Sequence, residues 1–517
     1  MILRGAALEA PIDIHDLLHS GLEGHPDETA MICAKTRRTW RALDQAIDNL
    51  AGHYLAMGLE PGDRVASLMP NRVELVIHYL ACIKAGLVAV PLNYRYLAPG
   101  IDHALDVSGA SLLVMHAERG HDLAASQHAK NLRLGTVCYG RGGREPGDLE
   151  RLIAEPPRTR SEPVAAPEDP AVIFFTSGST GKPKGVTHSF DTLGWILASC
   201  AEALEITGDD VILPGSSISH LGSFMWTLAG LAKGARIIVA RTFDGDELLP
   251  LLRAHRPTVL CMLPAALMCL VREHGATREV FSSLRVCRGG GDKVPAELEA
   301  EFTALTGFPI DEGYGMTEIG LATLNPPSGL IKPGSVGQPV AGFEMVIRDG
   351  EGRNVNIGED GMLWVRTRTA TIGYWRDPKA TAELVENGWL DTGDLMRADE
   401  DGYFWFRGRK KQIIVHDGSN IAPQEVEDAL LEHGDIEAAG VIGVHDLIHG
   451  ENVRAYVTLR PQSSRPSVQA LIRFARERIG YKAPEEIVFL DEMPLNPTGK
   501  IDRVRLKEMA AQSHIVG

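Results

Sequence analysis

The sequence predicts an α/β protein of more than one domain. Three observations carry the expectation: 517 residues exceed what one hydrophobic core holds, short β-branched runs alternate with longer amphipathic stretches to about residue 400, and the texture then changes twice. Runs 64–68, 87–91, 111–115, 171–175, 236–240 and 258–262 read as strands, and stretches such as 73–85 and 248–255 carry apolar residues at helical spacing. From Gly334 to Gly408, Gly and Asp punctuate short runs, as at 344–347 and 361–365, which suits antiparallel β structure. A smaller α+β unit follows, with strands at 412–415, 439–444 and 454–459, a helix opening at Pro423 and another over Val468–Ile479. Pro423 fits a first helical turn, where its missing N–H costs nothing. The domain boundary is expected at Gly408–Arg409, giving units 1–408 and 409–517, and the Arg-, Glu- and Pro-rich stretch 141–167 is expected to be a surface connection.

Composition excludes several function classes. With 44% hydrophobic and 23% charged residues, the chain has the mixture of a folded globular protein. A net charge of −16 repels nucleic acid and anionic membrane, so neither is expected as a partner. The seven cysteines are odd in number, form no CxxC and stop at Cys287, which is no disulfide framework and fits a reducing cytoplasm. The first ten residues lack the apolar core of a signal peptide, and no stretch reaches the roughly 20 apolar residues of a membrane span. The sequence leaves the oligomeric state open, a homodimer included.

The sharpest local signal is Thr176-Ser-Gly-Ser-Thr-Gly-Lys-Pro-Lys-Gly-Val186, directly after the apolar run 171–175. Its glycines let the backbone turn and expose N–H groups, and hydroxyls and lysines surround them, so the loop suits polyphosphate oxygens. A solvated Gly/Ser turn is the plain alternative, which the density of donors and the buried strand before it oppose. The loop is not a Walker P-loop: Thr176 stands five residues before Gly181, where that motif has Gly, and Lys182 is followed by Pro183.

Four further segments follow. In Glu312-Gly-Tyr-Gly-Met-Thr-Glu318, after an expected strand, an aromatic between glycines can cover a flat base, and a Thr–Glu pair can meet phosphate and a hard cation. Trp389-Leu-Asp-Thr-Gly-Asp394 offers a carboxylate in a turn, a fit acceptor for ribose hydroxyls, although such an Asp is often only a turn former. Arg409 opens a basic stretch at the expected domain junction, and its fork of donors suits ribose or phosphate oxygens. Lys500 sits on the Pro/Gly-rich segment Pro494–Arg503, where a lone lysine is normally exposed and silent.

In this order the motifs resemble the adenylate-forming superfamily, which includes acyl- and aryl-CoA synthetases, firefly luciferase and peptide-synthetase adenylation domains; the resemblance spans nearly the whole chain. It implies a large N-terminal domain of two α/β sheet subdomains plus a small β-barrel-like subdomain, and a small mobile C-terminal lid. It implies an ATP-dependent acid–CoA ligase working through an acyl adenylate, with ATP, Mg²⁺ and coenzyme A. Thr176, Ser177, Gly178, Ser179, Thr180, Gly181 and Lys184 would hold the phosphates, with Thr176 and Glu318 at the metal. Gly289, Gly290 and Gly291, with Glu312, Gly313, Tyr314 and Gly315, would border the adenine and acyl pockets, Tyr314 stacking on the base and Thr317 meeting the α-phosphate. Asp394 and Arg409 would take the ribose, Lys411 the hinge, Gly418 the CoA channel, and Lys500 the reacting carboxylate and α-phosphate. Gln412 and His416-Asp417 depart from the family's usual pattern beside that channel.

The acid pocket is the least determined part. His220-Leu-Gly-Ser-Phe-Met-Trp226 resembles the segment gating it, so His220, Phe224, Met225 and Trp226 are candidates, with packing of a core helix as the plain alternative. Few charges surround this segment, so an apolar monocarboxylate is expected, a medium- or long-chain fatty acid before an aromatic or alicyclic acid. Lys293 is a candidate partner for a second carboxylate, with an exposed surface lysine as the simpler reading. Two further alternatives are an acyl-AMP ligase that loads a carrier protein and a non-catalytic nucleotide-binding regulator; Lys500, Glu318 and Asp394, all present, oppose the latter.

Overall fold

The structure, a computed structural model, describes every residue except 35, 141–146, 158–164, 177–182, 291–293, 295, 417–418, 447–449, 497–498 and 514–517. Two large sheets dominate it. One has seven strands, Gly373–Tyr374, Lys184–Ser189, Pro170–Thr176, Val88–Pro91, Arg64–Leu68, Leu112–His116 and Thr136–Tyr139 in spatial order. The last five of these run parallel, and Lys184–Ser189 turns back against Pro170–Thr176. The other has nine strands, centred on the parallel set Asp311–Met316, Val286–Gly289, Val259–Met262, Val211–Gly215, Arg236–Ile238 and Thr29–Cys33.

Strand periodicity explains how these sheets stack. In Leu112–His116, Leu112 and Val114 join a central core while Leu113 and Met115 join an outer one; in Val259–Met262, Val259 and Cys261 face the centre and Leu260 and Met262 the opposite flank. Both faces of each strand are therefore apolar, which is why these runs read as continuous rather than alternating. The helices Val73–Lys84, Phe190–Ala203 and Leu221–Ala232 share the central core with both sheets, and nearly every residue of the first and third is buried. Phe190–Ala203 is started by a capping box, in which Ser189 Oγ accepts from Thr192 N–H at 3.1 Å and Thr192 Oγ1 from Ser189 N–H at 2.9 Å.

A third, six-stranded antiparallel sheet contains Ile2–Arg4, Phe343–Arg348, Asp360–Thr367, Trp389–Ala398, Val385–Glu386 and Phe404–Arg409. Beyond Arg409 the chain forms a smaller unit with its own five-stranded sheet and two apolar clusters. Its helix Pro423–Leu431 begins at the expected proline, and Val468–Ile479 is capped by Ser467, whose side chain accepts from Ala470 N–H. The fold is thus α/β with a large N-terminal and a small C-terminal domain.

Local expectations needed correction in three places. The stretch 141–167 is more than a connection, since Asp148–Ala154 is a helix that buries Leu149 and Ile153. The expected strand at 412–415 begins with a 3₁₀ turn, Lys410–Gln412, before the short strand Ile414–His416. The Glu312–Glu318 motif does not follow a strand; most of it is one, Asp311–Met316.

Candidate active site

Parallel α/β sheets present ligand sites at the carboxyl ends of their strands, and Thr176 and the glycine run from Gly289 lie there. Thr176 ends one strand of the seven-stranded sheet and pairs in register with Lys184, so the two flank the mouth of the Gly/Ser loop. Ser177, Gly178, Ser179, Thr180 and Gly181 lie outside the described residues, as do Gly291 and Gly418. Gly289 ends a strand of the nine-stranded sheet, and Gly290 N–H donates to Met262 O at 3.1 Å.

Glu312, Gly313, Tyr314 and Gly315 lie on the neighbouring strand, Asp311–Met316, and the turn after it carries Thr317 and Glu318. Close approach explains one glycine: a Cβ on Gly315 would lie 2.3 Å from Gly320 O in the hairpin partner. The Glu312 carboxylate accepts from Val294 N–H at 3.2 Å and so ties the glycine segment to this strand. The two sheets are joined at the turn, where His188 Nε2 donates to Thr317 O at 2.8 Å. Burial holds the His188 pKa near 4, so the ring stays neutral and its Nε2–H is available for that bond.

Glu318 is 7% exposed, and its Oε1 accepts from the Tyr374 hydroxyl at 2.9 Å. Lys184 Nζ lies 4.8 Å from the Tyr374 ring centre, so a single tyrosine links the loop lysine to the buried acid. Burial raises the Glu318 pKa, opposed first by the Tyr374 hydrogen bond. Among the described residues no Lys or Arg forms an ion pair with this carboxylate. The carboxylate and the Thr176 hydroxyl are each hard-oxygen donors of the kind that suits a divalent cation such as Mg²⁺.

Asp394 is a hub. Its Oδ2 accepts from the Tyr314 hydroxyl at 2.6 Å, and its Oδ1 lies 3.1 Å from Arg409 Nε. Burial raises the Asp394 pKa against the pull of Arg409, Tyr314 and Lys500. Burial also pushes the Tyr314 phenol far up, so it remains a donor. Phe406 stacks on the Tyr314 ring at 6.4 Å, fixing one face of the aromatic.

Lys500 arrives from the small domain. Its backbone N–H donates to Asn496 Oδ1 at 3.1 Å, its carbonyl accepts from Asn496 N–H at 2.7 Å, and Leu495 bridges Ile501 across the loop base. Just beyond, Arg503 Nη2 reaches both oxygens of buried Glu427 at 2.6 and 2.7 Å, which anchors the loop to the domain core. The Lys500 charge is felt by both Asp394 and His220. His220, before the helix Leu221–Ala232, has its pKa brought to about 4, chiefly by burial and then by Lys500 and Arg95. Its imidazole is neutral near pH 7.

The acid-pocket candidates lie on or beside the helix Leu221–Ala232. The Phe224 ring is 1% exposed and packs between Tyr79 and Phe174, each 5.2 Å away, as the alternative of a packed core helix expects. Met225 is also buried, at 4% exposure. Lys411 falls in the turn Lys410–Gln412, directly after the last strand of the third sheet. Tyr374, His188, Phe406 and the buried Arg288 were not singled out from sequence; a histidine at an inward position of the strand Lys184–Ser189 was the one available signal.

Asp311, at the start of the Tyr314 strand, is 3% exposed, its Oδ1 has no hydrogen-bond partner, and burial raises its pKa to about 7. Between the ordinary carboxylate value and about 7 the folded chain therefore holds a proton that the unfolded chain has released, and stability falls as pH rises through that window. Asp311→Asn is expected to raise the melting temperature more at pH 8 than at pH 5, by the equivalent of about 2 kcal/mol at the higher pH; equal shifts at both would show that the carboxyl is not protonated in the fold.

The AMP-binding enzyme family matches residues 18–375, and its C-terminal domain matches residues 425–500. The chain belongs to this family. Among relatives of the AMP-binding enzyme, a feruloyl-CoA synthase from Amycolatopsis sp. is 34% identical over 92% of this chain and 94% of its own. A fatty acid–[acyl-carrier-protein] ligase, ScoC, from Streptomyces coeruleorubidus is 31% identical over 93% of both. Crystal structures of MatB from Rhodopseudomonas palustris, 28% identical, align over 96% of this chain and 99% of theirs, with TM-scores of 0.89 for the ATP-bound form and 0.78 for the apo form. The AMP-binding enzyme described here is therefore arranged more like the ATP-bound form of that protein.

Proposed function

We propose that this AMP-forming ligase is an acid–CoA ligase: a carboxylate attacks the α-phosphorus of ATP, giving an acyl adenylate and pyrophosphate, and the CoA thiol then displaces AMP. The observation that carries the reading is the convergence of Thr176 and Lys184, the Tyr374–Glu318 pair, the Tyr314–Asp394–Arg409 hub and the Lys500 charge on one region. A free carboxylate resists a thiol because oxide would have to leave, and AMP is a far better leaving group. Attack gathers negative charge on phosphate oxygens, and fixed positive groups aimed there lower the barrier. Lys500 serves the attacking carboxylate and α-phosphate, Lys184 the departing phosphates, and Asp394 with Arg409 the ribose. Held by Thr176 and Glu318, Mg²⁺ when bound supplies further neutralisation of phosphate charge.

The second step needs room for the thiol and no longer needs Lys500. Rotation of the unit 409–517 about Lys411 withdraws the Lys500 loop and brings Gly418 to a CoA channel; the likeness to an ATP-bound relative supports the present arrangement as that of the first step. A fatty acid remains one reading of the acid, but with Phe224 placed in the core, its apolar run is weaker support. The similarity to ScoC favours a second acceptor, a pantetheinylated carrier protein. AMP and pyrophosphate release against a panel of acids, with CoA and carrier as competing acceptors, tests the reading. Thioester formation on CoA with at least ten-fold higher kcat/KM is the expected result; preference for the carrier would replace the acceptor, and absence of acid-dependent AMP release would remove the ligase.

A further inference from the structure

Arg288 ends up in an unusual place for a cation. It stands between Cys287 and the glycine run, is 6% exposed, and among the described residues its guanidinium makes no hydrogen bond and no ion pair. Its Nε is sealed from solvent without a partner. The plane lies over Trp226, with Cζ 4.5 Å from the ring centre, a contact that steadies the group but does not satisfy its N–H donors. Its terminal nitrogens border two glycines: a Cβ on Gly290 would come 3.0 Å from Nη1 and one on Gly313 would come 2.7 Å from Nη2. Those glycines belong to the segments framing the nucleotide and acyl pockets, and their missing side chains leave the guanidinium its space.

A guanidinium does not shed its proton at physiological pH, so burial without a partner is costly unless an anion arrives. The chain supplies poor ones. Cys200 and Cys261, which also face Arg288, have thiol pKa values raised by burial and are uncharged. Asp311 and Glu312 also act on Arg288, but neither hydrogen-bonds its guanidinium: burial raises the Asp311 pKa to about 7, so it is only partly ionised near pH 7, and Glu312 accepts from Val294 N–H instead. ATP does not complete the site either: adenine is neutral, and the phosphates belong at the Thr176, Lys184 and Lys500 end.

Resting on the ligase reading, we infer that Arg288 receives a second carboxylate of the acid, at the end remote from the one that is adenylated, so that the substrate is a dicarboxylic acid. A guanidinium offers paired parallel donors that match a carboxylate, and Trp226 fixes its plane. A hydroxyaryl or fatty monoacid leaves the charge uncompensated. Lys293, the other candidate partner for such a group, lies outside the described residues.

The test compares aliphatic and aryl dicarboxylic acids with their own monomethyl esters, which keep the shape and lose the remote charge, and with fatty and hydroxyaryl monoacids, by pyrophosphate release. A diacid is expected to exceed its half-ester by about 100-fold in kcat/KM, the size of effect for a desolvated charge pair. Arg288→Met is expected to remove that advantage while leaving KM for ATP and turnover of the half-ester within a few-fold, and Arg288→Lys to restore only part of it. Half-esters or monoacids used as well as diacids by the wild type would overturn the assignment without touching the ligase reading, and need no variant to fold. A uniform loss in Arg288→Met for every acid, or a raised KM for ATP, would overturn it too. Release with no acid of any kind overturns the ligase reading and this assignment together.

Discussion

Lys500→Ala is expected to lower acid-dependent ATP–pyrophosphate exchange by about 10³-fold, the upper range for removing one charge donor from a preorganised site, and to leave thioester formation from preformed acyl adenylate nearly unchanged. The asymmetry follows from where the lysine sits. It lies on a loop of the small domain held by Asn496 and by the Arg503–Glu427 pair, and its charge reaches Asp394 and His220 across the domain junction. The loop stays anchored without the ammonium, so the variant should fold normally and lose only the charge. Single-turnover measurements of both half-reactions on the same preparation decide the matter. Equal losses would mean that Lys500 also serves thiol attack, or that the small domain does not move between the steps.

Asp394→Ala is expected to raise KM for ATP by about 100-fold, with a smaller change in KM for the acid. The carboxylate is 1% exposed and holds both the Tyr314 hydroxyl and Arg409. Removing it strands the buried Tyr314 phenol, which costs about 1–3 kcal/mol, and leaves the half-exposed Arg409 guanidinium without its carboxylate. Asp394→Asn separates the contributions: the amide can still accept from Tyr314 but no longer offers Arg409 a charge. If Asn behaves as Ala does, the ion pair matters most; if Asn is nearly wild type, the geometry of Tyr314 does. An unchanged KM for ATP in both variants would place the ribose elsewhere.

The architecture could be read from sequence because its determinants are local. A buried parallel strand declares itself as an apolar run, and helices such as Val468–Ile479 carry their own start signal, here Ser467. The 3₁₀ turn at Lys410–Gln412 was misread because a short β-branched run follows it, and the helix Asp148–Ala154 because Arg and Pro around it mask only two buried apolar positions. The motifs were visible because each is contiguous. What stayed hidden is what the fold assembles from afar: Tyr374 meets Glu318 across 56 positions, and Arg288 meets Trp226 because an interior strand of the nine-stranded sheet lies beside a core helix. Phe224 shows the converse, a residue with the chemistry of a pocket wall that the helix turns toward Tyr79 and Phe174.

Gly408 adopts φ +142, a conformation other residues resist, and Arg409 after it grips the same carboxylate that the ribose would use. The proposed pivot and the proposed berth of the sugar are therefore neighbours on one short length of chain. On the proposed hinge at Lys411 and ribose site at Asp394, a swing of the smaller unit would begin by loosening Arg409, so a bound nucleotide would be sensed at the root of the moving part. The enzyme would then work as a clutch, engaged by its own cargo and slipping once that cargo is spent.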